Sequence, residues 1–299
     1  MGANPQRILV TGGRGRLASL LAGHFRNEAC TVERFSRTPG PELRPLAELW
    51  TDGALAGADI LVHLAWSTLP AVAENSPALA EREDLPLLRR LLLRVAACPA
   101  GRRPLFVFFS SGGAVYGNAP GRPNREDDAC HPIGRYGQAK LEAERLITEQ
   151  AALHDFPAVI LRISNPYGYP VPAERQQGLI PHAIRCAISG QPLALWGDGS
   201  ARKDFLHCND LLAALEAVFT QRPAGIFNVA SGQSHTVRAV LDLVEKHCGR
   251  RIALAPAPAP AWDVHDSLLD RRKFSQATGW QPQITLDEGI RQAVKDSRT

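Results

Sequence analysis

No stretch of the 299 residues approaches the ~18 uninterrupted apolar residues of a membrane-spanning helix, and residues 1–7 lack the apolar core of a signal peptide. The expectation is a cytoplasmic protein with no membrane partner. Gly2 could suggest myristoylation, but Gln6 stands where that pattern requires Ser or Thr. Basic runs are also missing. Lys and Arg number 34 against 30 Asp and Glu, a formal charge of +4 spread along the chain, so no nucleic-acid surface is expected. The six cysteines, Cys30, Cys98, Cys130, Cys186, Cys208 and Cys248, form no Cys-x-x-Cys pair and have no His-rich partner segment. Reduced, mostly buried thiols are expected, with neither disulfide nor metal site. The composition excludes collagen, coiled-coil and low-complexity readings, and no internal repeat of domain scale is present.

What remains is a chain of 44% apolar and 21% charged residues, the balance of a soluble globular enzyme. In the first half, apolar runs of strand length alternate with amphipathic helical stretches, the pattern of a parallel sheet covered on both faces. Strands are expected at 7–11, 31–35, 60–65, 105–110 and 158–163. Leu17, Leu20, Leu21, His24 and Phe25 recur at helical spacing and mark one buried face. Leu85, Leu88, Leu92 and Val95 mark a second helix, and Ala139, Ala143, Leu146, Ile147 and Gln150 a third. After Pro166 the alternation gives way to shorter elements. The expected fold is therefore α/β, a doubly wound parallel sheet of Rossmann type with a smaller C-terminal α/β lobe. The expected domains are a first lobe at 1–165 and a second at 166–299, with some chain exchange. The Ala-Pro repeat at 255–260 cannot continue a helix and should be an extended connector.

The first strand runs into Thr11-Gly12-Gly13-Arg14-Gly15-Arg16-Leu17-Ala18 and then into a helix. Glycines there let the backbone turn tightly and approach a pyrophosphate, which the helix N-terminus stabilises. The end of the second strand selects the cofactor, because an acid there binds the free ribose hydroxyls of NAD and repels a phosphate. This chain has Ser36-Arg37-Thr38 at that place, with its acid, Glu33, in mid-strand. Arg37 offers a charged fork suited to a phosphate, so NADP is favoured and NAD is the alternative. Further on, Ser110-Ser111 closes a strand. Tyr136 and Lys140 stand one helical turn apart, on one face, where a nearby ammonium makes a phenol a usable proton donor or acceptor.

These residues, with His63-Leu64-Ala65, Val115-Tyr116-Gly117, Asn165-Pro166-Tyr167-Gly168 and Trp196-Gly197-Asp198-Gly199, resemble the extended short-chain dehydrogenase/reductases acting on nucleotide sugars. The resemblance spans nearly the whole chain. It implies that Gly12, Gly15, Arg16 and Leu17 border the pyrophosphate and that Leu64, Ala65 and Trp66 cover the cofactor. Ser110, Ser36 and Arg37 are counted with the cofactor contacts. Tyr136 would be the acid/base, Lys140 would hold the nicotinamide ribose, and Asn165, Leu179, Ala194 and Trp196 would line the sugar-nucleotide site, although Trp196 also reads as a core aromatic. The resemblance further implies a homodimer.

Three residues depart from the pattern. Gly112 stands where many relatives carry a catalytic hydroxyl, leaving Ser111 as the substitute. Lys203, beside Arg202, replaces a diphosphate-binding Arg, and Pro260 replaces a second one. The leading reading is a 4-keto-6-deoxyhexose reductase acting on a nucleoside-diphosphate sugar with NADP. A UDP-sugar 4-epimerase using NAD without net redox is the alternative, and a non-catalytic dinucleotide-binding scaffold a third.

Overall fold

The computed structural model describes residues 5–169 and 178–298, so Gly2 lies outside the described residues. The first half of the chain runs β1 (Gln6–Thr11), α1 (Arg16–Phe25), β2 (Cys30–Ser36), β3 (Leu43–Pro45), β4 (Ile60–His63), α2 (Pro70–Asn75), α3 (Leu85–Ala96), β5 (Leu105–Ser111), α4 (Gly112–Val115), α5 (Arg135–His154) and β6 (Ala158–Ile163). There follow β7 (Asn165–Tyr167), α6 (Leu179–Ser189), β8 (Leu193–Trp196), β9 (Arg202–His207), α7 (Cys208–Gln221), β10 (Gly225–Val229), β11 (Ser234–Thr236), α8 (Val237–Cys248), β12 (Leu254–Ala257), α9 (Arg272–Thr278) and α10 (Leu286–Asp296). These elements form two compact units, the first Met1–Ser110, Gly134–Leu161 and Phe219–Phe227, the second Ser111–Ile133, Arg162–Val218 and Asn228–Thr299. The chain thus crosses from one unit to the other five times.

The first unit is built on a seven-stranded parallel sheet in the order β10-β6-β5-β4-β1-β2-β3, with flanking helices. β1 and β4 are consecutive neighbours in space but not in sequence, so the strand order reverses there. The loops leaving their C-terminal ends border the crevice where open α/β sheets take ligands. β1, β4 and β5 are apolar and almost wholly buried because helices cover them. Under α3, Leu88, Leu91, Leu92 and Val95 are fully buried, each contributing roughly 1.5–3 kcal/mol. The stripe of α1 differs from expectation. Ala18, Leu21, Ala22 and Phe25 are buried, while Leu17 and Leu20 are half-buried and His24 is exposed. Two alanines on the buried face let this helix lie close to the sheet, and the leucines flank it. The strand expected to reach residue 65 stops at His63, because the Ala65 N–H donates to Thr11 Oγ1 (3.3 Å) instead of joining the ladder.

In the second unit, β9 pairs antiparallel with β11 and parallel with β7. The Ala-Pro segment, expected to be an extended connector, is extended but also forms β12 over Leu254–Ala257, which pairs in parallel with β8. Pro256 is tolerated because this is the edge of a two-stranded ribbon, where a missing N–H costs no second ladder. Helices α6, α8 and α10 pack around Tyr167, Ile184, Leu241 and Ile290. All six cysteines are free thiols, with Cys186, Cys208 and Cys248 buried.

Candidate functional site

The glycine turn between β1 and α1 is tied down by its own backbone, Gly13 N donating to Phe35 O (2.8 Å) and Gly15 N to Gly12 O (2.7 Å). Gly12 has φ +72°, and a Cβ there would lie 2.7 Å from Ala65 N and from Leu64 C. Only glycine lets the loops after β1 and β4 touch. Gly15 caps α1 without a side chain, so the first N–H groups of that helix, at Arg16 and Leu17, are offered to an anion. This cradle fits a dinucleotide pyrophosphate.

At the end of β2, buried Ser36 accepts from Thr38 N (3.2 Å). Glu33, the acid in mid-strand, is held by Arg7 and Arg44. Arg37 leaves the strand and is 61% exposed, its guanidinium donating to Glu83 Oε2 (2.7 Å) and Ser67 Oγ (2.8 Å). Neither partner was legible in the sequence, since nothing local marks a contact across 46 residues.

Lys140 is buried among aromatic rings. Its ammonium donates to Phe109 O (2.9 Å) and lies 3.9 Å from the Trp66 ring centroid, 4.6 Å from Phe108 and 5.9 Å from Tyr136. The i, i+4 spacing therefore does bring Lys140 to Tyr136, and Trp66 joins them. Burial lowers the Lys140 amine to about 7, against the raising influence of Asp84 and Glu144. His63, whose Nδ1 shares a 2.7 Å hydrogen bond with Thr11 Oγ1, is held down to about 3 by burial and then by the Lys140 charge, so it is a neutral strut between β1 and β4. The Ser110 hydroxyl donates to the buried Glu144 carboxylate.

The second unit carries Ser111 and the expected sugar-nucleotide contacts. Gly112 is packed: a Cβ would come within 2.3 Å of Leu269 Cδ1 and 3.1 Å of Arg162 O. Tyr116 of the Val-Tyr-Gly motif is structural, donating to Asn228 Oδ1 (2.8 Å). Asn165 Nδ2 donates to the backbone oxygen of Asp204 (2.8 Å). The Asp204 carboxylate accepts from Ser231 N and Oγ and from Gly232 N, yet burial pushes its carboxyl up to about 6. Arg202 and Lys203 diverge, the first donating to Ser234 Oγ (3.1 Å) and the second to Asp263 (2.8 Å). Adjacent strand residues face opposite ways, so they do not form one basic pair. Leu179 packs against the α6–α8 core. Ala194 and Trp196 share the exposed face of β8. Trp196 is 42% exposed, which excludes a core aromatic, and it meets Trp262 edge-on at 5.6 Å. Trp262 was not anticipated.

A glycine cradle at the sheet's switch point and a Tyr-x-x-x-Lys pair on the neighbouring helix define a dinucleotide-binding α/β protein of short-chain dehydrogenase type. Residues 8–230 match the NAD dependent epimerase/dehydratase family, and the chain belongs to it. Among its relatives is the dTDP-4-dehydro-6-deoxyglucose reductase of Escherichia coli, 29% identical over 64% of this chain and 61% of that one. The chain thus spans about three fifths of the length of that relative. The UDP-glucose 4-epimerase of Azospirillum brasilense is 28% identical over 95% of this chain and 89% of its own. Of solved structures, MoeE5 in complex with UDP-glucuronic acid and NAD is 29% identical with a TM-score of 0.87, covering 98% of this chain and 99% of the other. Among the described residues no helix is long and apolar enough to cross a membrane.

Proposed function

We propose that this chain is a reductase of a nucleoside-diphosphate 4-keto-6-deoxyhexose that draws on NADPH. The observation that carries this reading is the end of β2, where Arg37 leaves the strand and the strand itself offers no acid to a ribose, Glu33 being paired with Arg7 and Arg44. A phosphate-specific, exchangeable cofactor suits net reduction. The similarity to a 4-keto-6-deoxy sugar reductase supports the same reaction.

Gly12, Gly15, Arg16 and Leu17 would hold the pyrophosphate, Leu64, Ala65 and Trp66 the flank, and Lys140 the nicotinamide ribose. When bound, the nicotinamide supplies hydride to C4 of the sugar. Tyr136 delivers its phenolic proton to the C4 oxygen, converting carbonyl to hydroxyl, and takes a proton back from solvent. Lys140 favours the phenolate left behind when it is charged. Ser111 polarises the carbonyl in place of the hydroxyl missing at Gly112. Asn165, Leu179, Ala194, Trp196, Arg202 and Lys203 receive the sugar nucleotide. The active form is a cytoplasmic homodimer joined through α3 and α5.

A second reading, a redox-neutral UDP-sugar 4-epimerase with NAD, is favoured by the near full-length similarity to the Azospirillum epimerase and by the NAD held in MoeE5. One experiment separates the two: the cofactor released from fresh protein is identified, and NADPH consumption with a 4-keto-6-deoxy sugar nucleotide is compared with conversion of UDP-hexoses. NADPH consumption is expected, and Tyr136→Phe should lose about 10²–10⁴-fold in turnover with cofactor affinity nearly unchanged. Retained NAD with UDP-hexose interconversion and no NADPH consumption would establish the epimerase instead.

A further inference from the structure

The residues that meet Arg37 form an arrangement with its own consequence. Just before α3 the chain makes a π-helical turn over Ala80–Asp84, a widened turn of a kind found often at functional sites. Its last two residues are both acids turned to one loop. Asp84, almost fully buried, accepts from Ser67 N (2.7 Å), from Thr68 N (3.0 Å) and from the Thr68 hydroxyl, which pins the turn to the segment leaving β4. Glu83, next to it, points to solvent and takes both Arg37 and the Ser67 hydroxyl (3.2 Å) on one oxygen, Oε2. In a regular helix, neighbouring side chains diverge by about 100°, and the widened turn lets Glu83 meet Ser67 while Asp84 meets Ser67 and Thr68. Arg37 Nη1 is thus spent on Glu83 and Nη2 on Ser67.

We propose that Glu83 is a specificity-determining residue that opposes the phosphorylated cofactor: it occupies the Arg37 fork and presents a negative charge where a 2′-phosphate must sit. This rests on the reading that Arg37 receives that phosphate. A dianionic phosphate approaching Arg37 meets the Glu83 carboxylate, which must swing away or be tolerated at like-charge cost. A cofactor without the phosphate leaves the pair intact. Both side chains are substantially exposed, 61% for Arg37 and 40% for Glu83, so the carboxylate can leave without opening the core. Discrimination between NADPH and NADH is then a balance of one attractive and one repulsive group. Glu83 stands outside the strand whose end ordinarily makes that choice, on a turn fixed in place by Asp84.

The test measures dissociation constants of NADPH and NADH by calorimetry, on full-length protein without substrate. Glu83→Gln, which keeps shape and removes charge, should tighten NADPH by about three- to tenfold and change NADH by less than twofold. Arg37→Ala should weaken NADPH by roughly 10–100-fold and leave NADH nearly unchanged. The two failures are distinguishable. If Arg37→Ala weakens NADPH selectively but Glu83→Gln leaves the NADPH to NADH ratio where it was, or lowers NADPH affinity because Glu83 merely steadies Arg37, the proposal is overturned while the phosphate reading stands. If Arg37→Ala weakens both cofactors equally, Arg37 does not read the phosphate and the proposal falls with that reading. Thr68→Ala, which removes one bond to Asp84 but no charge near Arg37, is the control; a ratio shift as large as that of Glu83→Gln would show that looseness of the turn, and not the carboxylate, sets the selectivity.

Discussion

Gly112 illustrates what a single position can carry. A hydroxyl-bearing side chain here would crowd Leu269, which is fully buried beside Val115, Tyr116 and Ala230 and fills the space a Cβ needs. The missing group is therefore a packed feature of this chain. The neighbouring Ser110 hydroxyl donates to Glu144. Gly112→Ser should destabilise the protein by about 1–3 kcal/mol in urea titrations, the usual cost of overpacking. Combined with Leu269→Ala, which vacates the clashing atoms, its cost should be less than the sum of the two single effects, and strict additivity would remove the steric account. Tyr136, Lys140 and the glycines were legible because spacing within one turn fixes their relation. The Lys140 environment was not, since Trp66, Phe108 and Phe109 come from other strands and loops.

Between elements, the short bond joining Thr11 on β1 to His63 on β4 predicts a pH dependence. With a folded value near 3 and an ordinary value of 6.5, His63 stays neutral in the folded state while the unfolded chain takes up a proton. Unfolding then binds the proton, so stability from this group is fully present above about pH 6.5 and falls as pH drops toward 3, by up to about 1.4 kcal/mol per unit. Asp204 in the other unit has the opposite sign, its carboxyl raised from 3.8 to about 6, so comparison with His63→Gln isolates the histidine. Urea midpoints between pH 7 and 4.5 should fall more steeply in the parent than in the variant; equal slopes would show that His63 titrates normally. Four of the five expected strands were read to within one residue at each end, and three helices were located by their apolar spacing, from period alone. The inner face of α1 was not, because leucine and alanine at adjacent positions satisfy the same period and only contact with the sheet chooses between them.

For the molecule as a whole, two leucines point outward where leucine is costly. Leu93 on α3 is 57% exposed and Leu153 on α5 is 71% exposed. Pairing of two copies through these helices covers such side chains, and two-fold closure is the commonest arrangement. Sedimentation at micromolar protein should therefore show a dimer, shifted toward monomer by Leu93→Glu. A parent protein that sediments as a monomer would exclude the proposed assembly.

Alternating apolar runs, the glycine turn and the Tyr-x-x-x-Lys spacing already dictated an α/β dinucleotide fold from sequence, because each is a short-range pattern whose geometry follows from 2.0 and 3.6 residue periods. The partners across the chain came only with the fold. Arg37 meets Glu83 and Ser67, Lys203 meets Asp263, Gly112 is closed by Leu269, and an Ala-Pro tract becomes a strand beside β8. These contacts depend on which surfaces burial brings together and on which charges it leaves in reach of one another. No local period encodes either.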